Sequence, residues 1–165
     1  MLRPHRVRRS AGTMPPLDVL RNWFRGPSGA AIAADLAAID RGEGRRLGCL
    51  FRGDYAGYPR RFHRKMADLL PQALVLRPFW SSPDRRSLRI AEIVVSASVR
   101  PRDRAKDWNV PGTGMYGPGQ ALGYAGFEVV ECKTALGRFE LAVPRPDVPL
   151  VLHYLQTVRS RHPST

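Results

Sequence analysis

The residues just after the first predicted strand carry the most interpretable chemistry in this chain. Basic side chains and aromatic rings are interleaved there, in Tyr55, Tyr58, Arg60, Arg61, Phe62, Arg64 and Lys65. Basic groups at such spacing can hold phosphates while the rings stack on bases or enter a lipid interface. The alternative is a solvated helical turn whose Tyr and Phe rings are tucked into the core. At the level of sequence both interpretations stay open.

A second motif, Gly112–Gly117, matches the G-x-G-x-x-G pattern of phosphate-cradling loops. That pattern needs a strand before it and a helix N-terminus after it. Here Val110-Pro111 precedes the motif and Pro118-Gly119 follows it, so neither context is present. We therefore predict a loop at this position and no nucleotide site.

The cysteines and histidines indicate neither a metal site nor a nucleophile. Cys49 and Cys132 each stand alone in a predicted strand, without a second Cys or a His at ligand spacing. We expect two buried free thiols, as in a reducing cytoplasm. No Ser or Cys has a recognisable neighbouring base, and no G-x-S-x-G elbow occurs. The prediction is a non-enzymatic protein without cofactor or metal.

The chain is strongly basic, with 27 Lys and Arg against 14 Asp and Glu and a formal charge of +13. All but Lys65, Lys106 and Lys133 of these basic residues are arginines, and the wealth of Ala, Gly and Pro is typical of a GC-rich genome. Removing residues 1–13 would delete four arginines and leave +9. The remaining charge still favours anionic partners: an acidic protein, an anionic membrane surface or nucleic acid.

No apolar run approaches the roughly 20 residues that cross a bilayer, and the basic N-terminus has no apolar h-region. We therefore expect a cytoplasmic protein, peripheral to the membrane if its partner is a lipid surface.

The end of the chain carries the clearest structural pattern. In residues 138–143 Phe139, Leu141 and Val143 alternate with polar or small residues, which is typical of a half-buried strand. Ala135-Leu136-Gly137 fits a three-residue hairpin loop in which Gly137 takes positive φ. An apolar stripe at helical spacing then runs from Val148 to Val158, and Asp147 is a plausible N-cap.

The rest of the chain divides into three predicted segments. Residues 1–16 are predicted to be a disordered basic tail, and residues 17–44 a segment of two short helices, at 17–24 and from Ser28 to about Arg41. Residues 45–160 are predicted to form a β-rich domain with a C-terminal helix. Its predicted strands lie at 46–52, 73–79, 88–99 and in the closing hairpin, while 55–70 is irregular or partly helical and 100–126 is a long loop. The fold class is α+β.

From Arg45 to Arg159 this layout resembles a bacterial pleckstrin-homology-like (PH-like or GRAM-like) domain of an actinobacterial type. The residues that carry the resemblance are the first strand RRLGCLF and the ending GRFELAVPRPDVPLVLHYL. The resemblance implies a bent antiparallel sheet, a partial barrel capped by a C-terminal helix. It also implies a non-enzymatic binding or scaffold module, a class in which some members read phosphoinositides or other anionic lipids. By that resemblance Arg60, Arg61, Arg64 and Lys65 would contact the headgroup.

Two alternatives compete with this interaction module. The first is a nucleic-acid-binding protein that uses its basic surface. The second is a small enzyme with a pocket under loop 100–126, lined by Trp108, Met115, Tyr116 and Tyr124.

Overall fold

The computed structural model describes residues 29–55, 57–79, 85–110 and 126–161, with side chains as far as residue 157. Helix α1 (Gly29–Asp40) precedes the sheet, and a 3-10 turn (Arg145–Asp147) leads into helix α2 (Val148–Arg161) after it. The seven strands are β1 (Arg45–Gly53), β2 (His63–Leu70), β3 (Ala73–Pro78), β4 (Leu88–Ile90), β5 (Val94–Arg100), β6 (Phe127–Thr134) and β7 (Gly137–Pro144). The class is α+β, as predicted. One of the two predicted N-terminal helices is α1, and the other, at 17–24, lies outside the described residues.

All seven strands form a single antiparallel sheet in the order β4-β3-β2-β1-β7-β6-β5, curled into a half-barrel. Strands β4 and β5 therefore lie at opposite edges, although only residues 91–93 separate them in the chain. A flat sheet would place these edges about 29 Å apart, at about 4.8 Å per strand spacing. Four residue steps from Ile90 to Val94 span at most about 14 Å. The short connection therefore requires the sheet to curl.

The main hydrophobic core fills the inner, concave face of the sheet. It is built from the inward residues of the strands, including Cys49, Phe51, Leu76 and Phe139, all with no exposed surface. Helix α2 packs over it with the side chains Val148, Leu150, Val151, Tyr154 and Leu155. The predicted apolar stripe of this helix is confirmed as far as the described side chains reach. The Tyr154 hydroxyl donates to the Leu70 carbonyl at 2.8 Å and so ties the helix to β2.

A second, smaller core covers part of the outer face, where loop residues 101–110 fold back over β1, β7 and β6. Its buried members are Leu50, Phe62, Phe79, Val110, Phe127, Val129 and Ala142. Asn109 fastens this loop by donating from Nδ2 to the Phe62 carbonyl at 2.8 Å. Because of this second core, β1 is buried on both faces over most of its length, which explains its apolar LGCLF run.

The closing hairpin is confirmed, with one residue fewer in its turn than predicted. Thr134 pairs with Gly137, so only Ala135 and Leu136 lie in the turn and Gly137 begins β7. Gly137 has φ +151°, and a Cβ there would lie 2.7 Å from Cδ1 of Tyr55. The position therefore requires glycine for both conformation and space. Asp147, predicted as an N-cap, lies in the 3-10 turn immediately before α2.

Two other sequence predictions are corrected by the sheet. The segment 55–70 was expected to be irregular or partly helical, but His63–Leu70 is strand β2, paired along its length with β1 and β3. The single strand expected at 88–99 is two strands, β4 and β5, on opposite edges. Among the described residues, no helix is long and apolar enough to span a membrane.

Candidate anion-binding surface

Four arginines lie on the outer face of strands β1 to β4, the half of that face that loop 101–110 leaves open. Strand pairing places Arg46, Asp68, Val75 and Arg89 in one row across the four strands. Arg77 lies opposite Met66, and Arg64 lies opposite Leu50, on the same face. We call Arg46, Arg64, Arg77 and Arg89, all exposed, the arginine face.

The spacing of this surface follows from sheet geometry. Arg77 is the diagonal neighbour of Arg64 on one side and of Arg89 on the other. Diagonal neighbours on one face of an antiparallel sheet are about 7 to 8 Å apart. Three guanidiniums thus follow one diagonal line across β2, β3 and β4, with reach enough to contact several anionic groups at once.

Asp68 is the acidic residue within this row, and it organises two of the arginines. Its side chain is almost fully buried, and it accepts hydrogen bonds from Nη2 of Arg46 at 3.2 Å and from Nε of Arg77 at 2.6 Å. Burial opposes ionisation of this carboxyl, but the hydrogen bonds from the two guanidiniums outweigh it and lower the pKa of Asp68. One carboxylate holds two cations, so the trio keeps a net charge of +1.

Three of the four residues that the sequence singled out lie at the surface, in β2 or just before it. Arg60 and Arg61 are exposed in the loop before β2, and Arg64 is exposed on β2 itself. Lys65 is different, because alternation along β2 turns it to the inner face opposite Cys49. It is fully buried, and its Nζ donates to the Arg86 carbonyl at 2.8 Å. Lys65 is therefore not part of the exposed basic surface.

The aromatic rings interleaved with these basic residues serve the packing of the protein. Phe62 is buried in the second core, where the guanidinium carbon of Arg52 lies 4.2 Å above its ring centroid. The Tyr55 and Tyr58 ring centroids are 4.2 Å apart, and Tyr58 meets Phe51 edge-on at 5.1 Å. The rings are thus engaged in packing, while Arg60, Arg61 and Arg64 stay exposed.

A charged cluster on the other half of the outer face is internally balanced. Arg52 and Arg100 face Glu140 and the fully buried Asp107. Arg100 donates to both oxygens of Asp107, at 2.7 and 2.8 Å, and to Oε1 of Glu140 at 2.6 Å. Burial would raise the pKa of Asp107 and of Glu140, but hydrogen bonds from Arg100 lower both. The charges of two cations and two carboxylates sum to zero. This cluster therefore holds loop 101–110 against the sheet and has no surplus charge for a ligand.

Of the four residues predicted to line a pocket under loop 100–126, the described part of the chain includes one. Trp108 is 48% exposed, while Met115, Tyr116 and Tyr124 lie outside the described residues. The pocket stays a prediction.

The two cysteines are free and buried, as predicted. Burial raises the pKa of the Cys49 thiol to about 12 and raises that of Cys132 further. Both thiols are therefore protonated at neutral pH and are poor nucleophiles and poor metal ligands. Within the described residues, no group of three or more His, Cys, Asp or Glu side chains is arranged to hold a metal ion.

No protein family and no curated protein sequence matches this chain. Its function is therefore inferred from the geometry of its own residues. Of those residues, sequence reasoning missed Arg46, Arg77 and Arg89, because they come together only when β1, β3 and β4 pair around β2. The available signal was the outward parity of Arg46 in the alternation of the first strand.

Proposed function

We propose that this protein is a non-enzymatic interaction module that binds an anionic partner, a membrane surface or an acidic protein, on its arginine face. The observation that carries the proposal is the excess of exposed arginine over acid on this half of the sheet. Arg60 and Arg61, which precede β2, bring the number of exposed arginines on and next to this half of the sheet to six. Among the described residues, these six positive charges and the negative charge of Asp68 leave a surplus of +5.

The chemistry of the guanidinium supports this assignment. Its planar fork of N–H donors matches the two oxygens of a carboxylate or phosphate. The hydrogen bonds to Asp68 use Nε and Nη2 of Arg46 and Nε of Arg77, while the two side chains stay 42% and 54% exposed. The remaining donors of both groups are thus held in place before a ligand arrives. Such preorganisation lowers the entropy lost on binding.

The curled sheet capped by α2 agrees with what the PH-like resemblance implies, and that resemblance also implies an anionic ligand. The positions differ in part, since Lys65 is buried and Arg46, Arg77 and Arg89 take part instead. The agreement with the resemblance concerns the architecture alone. The residues proposed to bind the partner are chosen because they are exposed.

Magnitudes set the strength of the proposed contact. Near an anionic membrane each basic residue contributes about 1 kcal/mol, so a surplus of five gives about 5 kcal/mol. This corresponds to a dissociation constant of about 0.2 mM. One copy of the module would therefore bind weakly and reversibly.

Vesicle co-sedimentation tests the proposal. Wild-type protein should sediment with vesicles that contain phosphatidylserine or a phosphoinositide and should stay in solution with neutral phosphatidylcholine vesicles. The variant R60E/R61E/R64E/R89E should lose sedimentation altogether, since it replaces four attractive charges by four repulsive ones. It spares Arg46 and Arg77, which stabilise the buried Asp68.

Two controls isolate the surface from the net charge. The variant R41E/R104E/K106E/R145E makes the same change of eight charge units at exposed positions outside the arginine face, and it should retain most binding. Lys65→Met removes a buried cation next to Arg64 and should leave binding unchanged. Equal loss in both quadruple variants would reduce the effect to non-specific charge and overturn the proposal.

Nucleic acid is the competing partner, and salt separates it from the others. A protein that makes about six phosphate contacts loses on the order of a thousandfold in affinity for DNA between 50 and 200 mM salt. The rings of Phe62 and Phe79, which flank the arginine face, are buried, so base stacking at these two positions would not add to the contact. A steep gel-shift response together with no vesicle binding would favour the nucleic-acid alternative.

A further inference from the structure

Strand β5 has a hydrogen-bonded neighbour on one side only. It pairs with β6 and ends the sheet order. Within the described part of the chain, no other segment hydrogen-bonds to its outer edge. The opposite edge, β4, is only three residues long and carries Arg89, and short charged edges resist pairing. β5 is seven residues long, and its β-bulge near Val95 and its one charged residue, Arg100, lie towards its two ends.

The exposed part of β5 is uncharged in a chain that is otherwise rich in charge. Residues 94–99 read Val-Val-Ser-Ala-Ser-Val, and Val95 and Val99 are 52% and 42% exposed. Ser96 and Ser98 are exposed as well. Native proteins usually place charge or proline on an edge strand to prevent pairing with another chain. An uncharged, valine-bearing edge on a protein of charge +13 is thus a surface that adds no charge of its own to the repulsion between two copies.

The sequence of the exposed part of β5 is a palindrome. Around Ala97 the sequence reads Val95-Ser96-Ala97-Ser98-Val99. In an antiparallel pair with a two-fold axis at Ala97, Val95 of one copy would lie opposite Val99 of the other, and Ser96 opposite Ser98. Every position of the strand then meets a suitable partner: apolar beside apolar, and hydroxyl beside hydroxyl. A two-fold interface requires this kind of self-complementary surface.

The pairing inside each copy is compatible with such an interface. Beyond the bulge near Val95, Ala97 lies opposite Cys132 and Val99 opposite Val130, on the inner face. Val94 lies opposite Thr134 on that face, and Val95 is the bulge residue without a partner in β6, so Ala97 and Val99 share the inner side of the strand. The apolar row of β5 would therefore continue across the axis into the second copy.

We propose that two copies of this protein associate through antiparallel pairing of their β5 edges, with Ala97 at the two-fold axis. The two seven-stranded sheets then join into one sheet of fourteen strands. Strands β1 to β4 come after β6 and β7 in the strand order from β5, so the pairing of the β5 edges uses none of the residues of the arginine face. The proposal is independent of the proposed function, because it involves a different edge and needs no anionic ligand.

Sedimentation equilibrium over 1 to 500 µM protein, without lipid or nucleic acid, tests the pairing and its register. The wild-type mass should rise with concentration from the 18.5 kDa of the monomer towards twice that value. In the variant S96K/S98K each new lysine would face a lysine of the other copy, and association should weaken at least tenfold. In S96E/S98K each glutamate would face a lysine, and association should persist or strengthen.

The S96E/S98K variant is also matched to its own sheet. Ser96 lies opposite Lys133 and Ser98 opposite Glu131 in β6, so its new charges are complementary within the chain. A third variant, A37K/A105K, adds the same two charges as S96K/S98K at exposed sites away from β5 and should associate more strongly than S96K/S98K. Circular dichroism melts check that all variants fold. A wild-type protein that stays monomeric at 500 µM, or equal association of S96K/S98K and S96E/S98K, would overturn the proposal.

Discussion

Asp107 shows how a single buried charge can organise a long loop. Its carboxylate accepts hydrogen bonds from Arg100, from Arg52 at 3.1 Å and from the backbone N–H of Asp103 at 2.9 Å. It thereby connects the outer face of β1 and β5 with the loop that leaves β5. Since the side chain is fully buried, its energetic role is set by its partners.

We expect Asp107→Ala to destabilise the protein by about 3 to 5 kcal/mol, because it leaves the mostly buried cations of Arg52 and Arg100 with half of their balancing charge removed. That is a large fraction of the roughly 5 to 15 kcal/mol that stabilise a typical domain. Urea unfolding followed by circular dichroism measures the loss.

The neighbouring variant Lys106→Ala provides the control for Asp107. Lys106 is 72% exposed and pairs only loosely with Asp103, at 3.8 Å, so its removal should change stability by less than about 0.5 kcal/mol. Equal stability of the two variants would mean that the charged cluster does not hold the loop.

Individual residues also show which parts of the site could be predicted from the sequence and which could not. Arg60, Arg61 and Arg64 were identified from composition alone, because a cluster of basic residues is visible in one dimension. Lys65 was misplaced because its inward direction depends on β2 being a strand, and that segment was interpreted as irregular or helical. Once the strand is known, alternation assigns Arg64 and Lys65 to opposite faces.

At the scale of elements, the turn that leads into α2 contains the carboxyl group of Asp147, whose burial disfavours its ionised form. Burial, and secondarily the negative charge of Asp35, raise the pKa of Asp147 from its ordinary 3.8 to about 6. Between about pH 4 and 6 the folded protein therefore binds a proton that the unfolded chain does not bind. Stability falls as the pH rises through this window, and above pH 6 the ionised carboxylate is a standing cost.

We predict that Asp147→Asn stabilises the protein at pH 7 by about 1 to 3 kcal/mol, since each pKa unit corresponds to about 1.4 kcal/mol. Asn is as good as Asp at a helix start, so the entry into α2 should be preserved. Urea unfolding of both proteins from pH 4 to pH 8 tests this. The difference should vanish near pH 4 and grow towards pH 7; a constant difference would show that Asp147 titrates normally.

The elements also explain which parts of the fold were predictable. The closing hairpin and α2 followed from clear periods of 2 and 3.6 residues, because polar residues such as Arg138 and Glu140 alternate with apolar ones in β7 and the apolar residues of α2 recur at helical spacing. Strand β2, HRKMADLL, was missed because Lys65 and Asp68 are buried polar residues that break the apolar alternation. The separation of β4 from β5 was missed because Ala91-Glu92-Ile93 contains neither Gly nor Pro.

At the scale of the whole molecule, the two proposed contacts should respond to salt in opposite directions. Two copies of charge +13 repel each other, and this repulsion is screened over about 30 Å at 10 mM salt but over about 10 Å at 100 mM. Association through the uncharged β5 edge should therefore strengthen between 10 and 200 mM salt. Binding of the arginine face to anionic vesicles should weaken over the same range.

Sedimentation equilibrium and vesicle co-sedimentation at matched salt concentrations measure the two responses. Self-association that weakens with salt would indicate an electrostatic interface and contradict the pairing at β5. Vesicle binding that is unaffected by salt would contradict a contact made by arginines.

The connection at residues 91–93 also limits how the molecule can move. This connection holds the two edges of the sheet within about 14 Å of each other at one corner. The half-barrel therefore cannot flatten or open there while β4 stays paired with β3 and β5 stays paired with β6. An opening of the half-barrel must occur at the other corner, or it must first break the pairing of the three residues of β4 with β3. The connection therefore limits how far the sheet can change its curvature when an anionic surface contacts the arginine face.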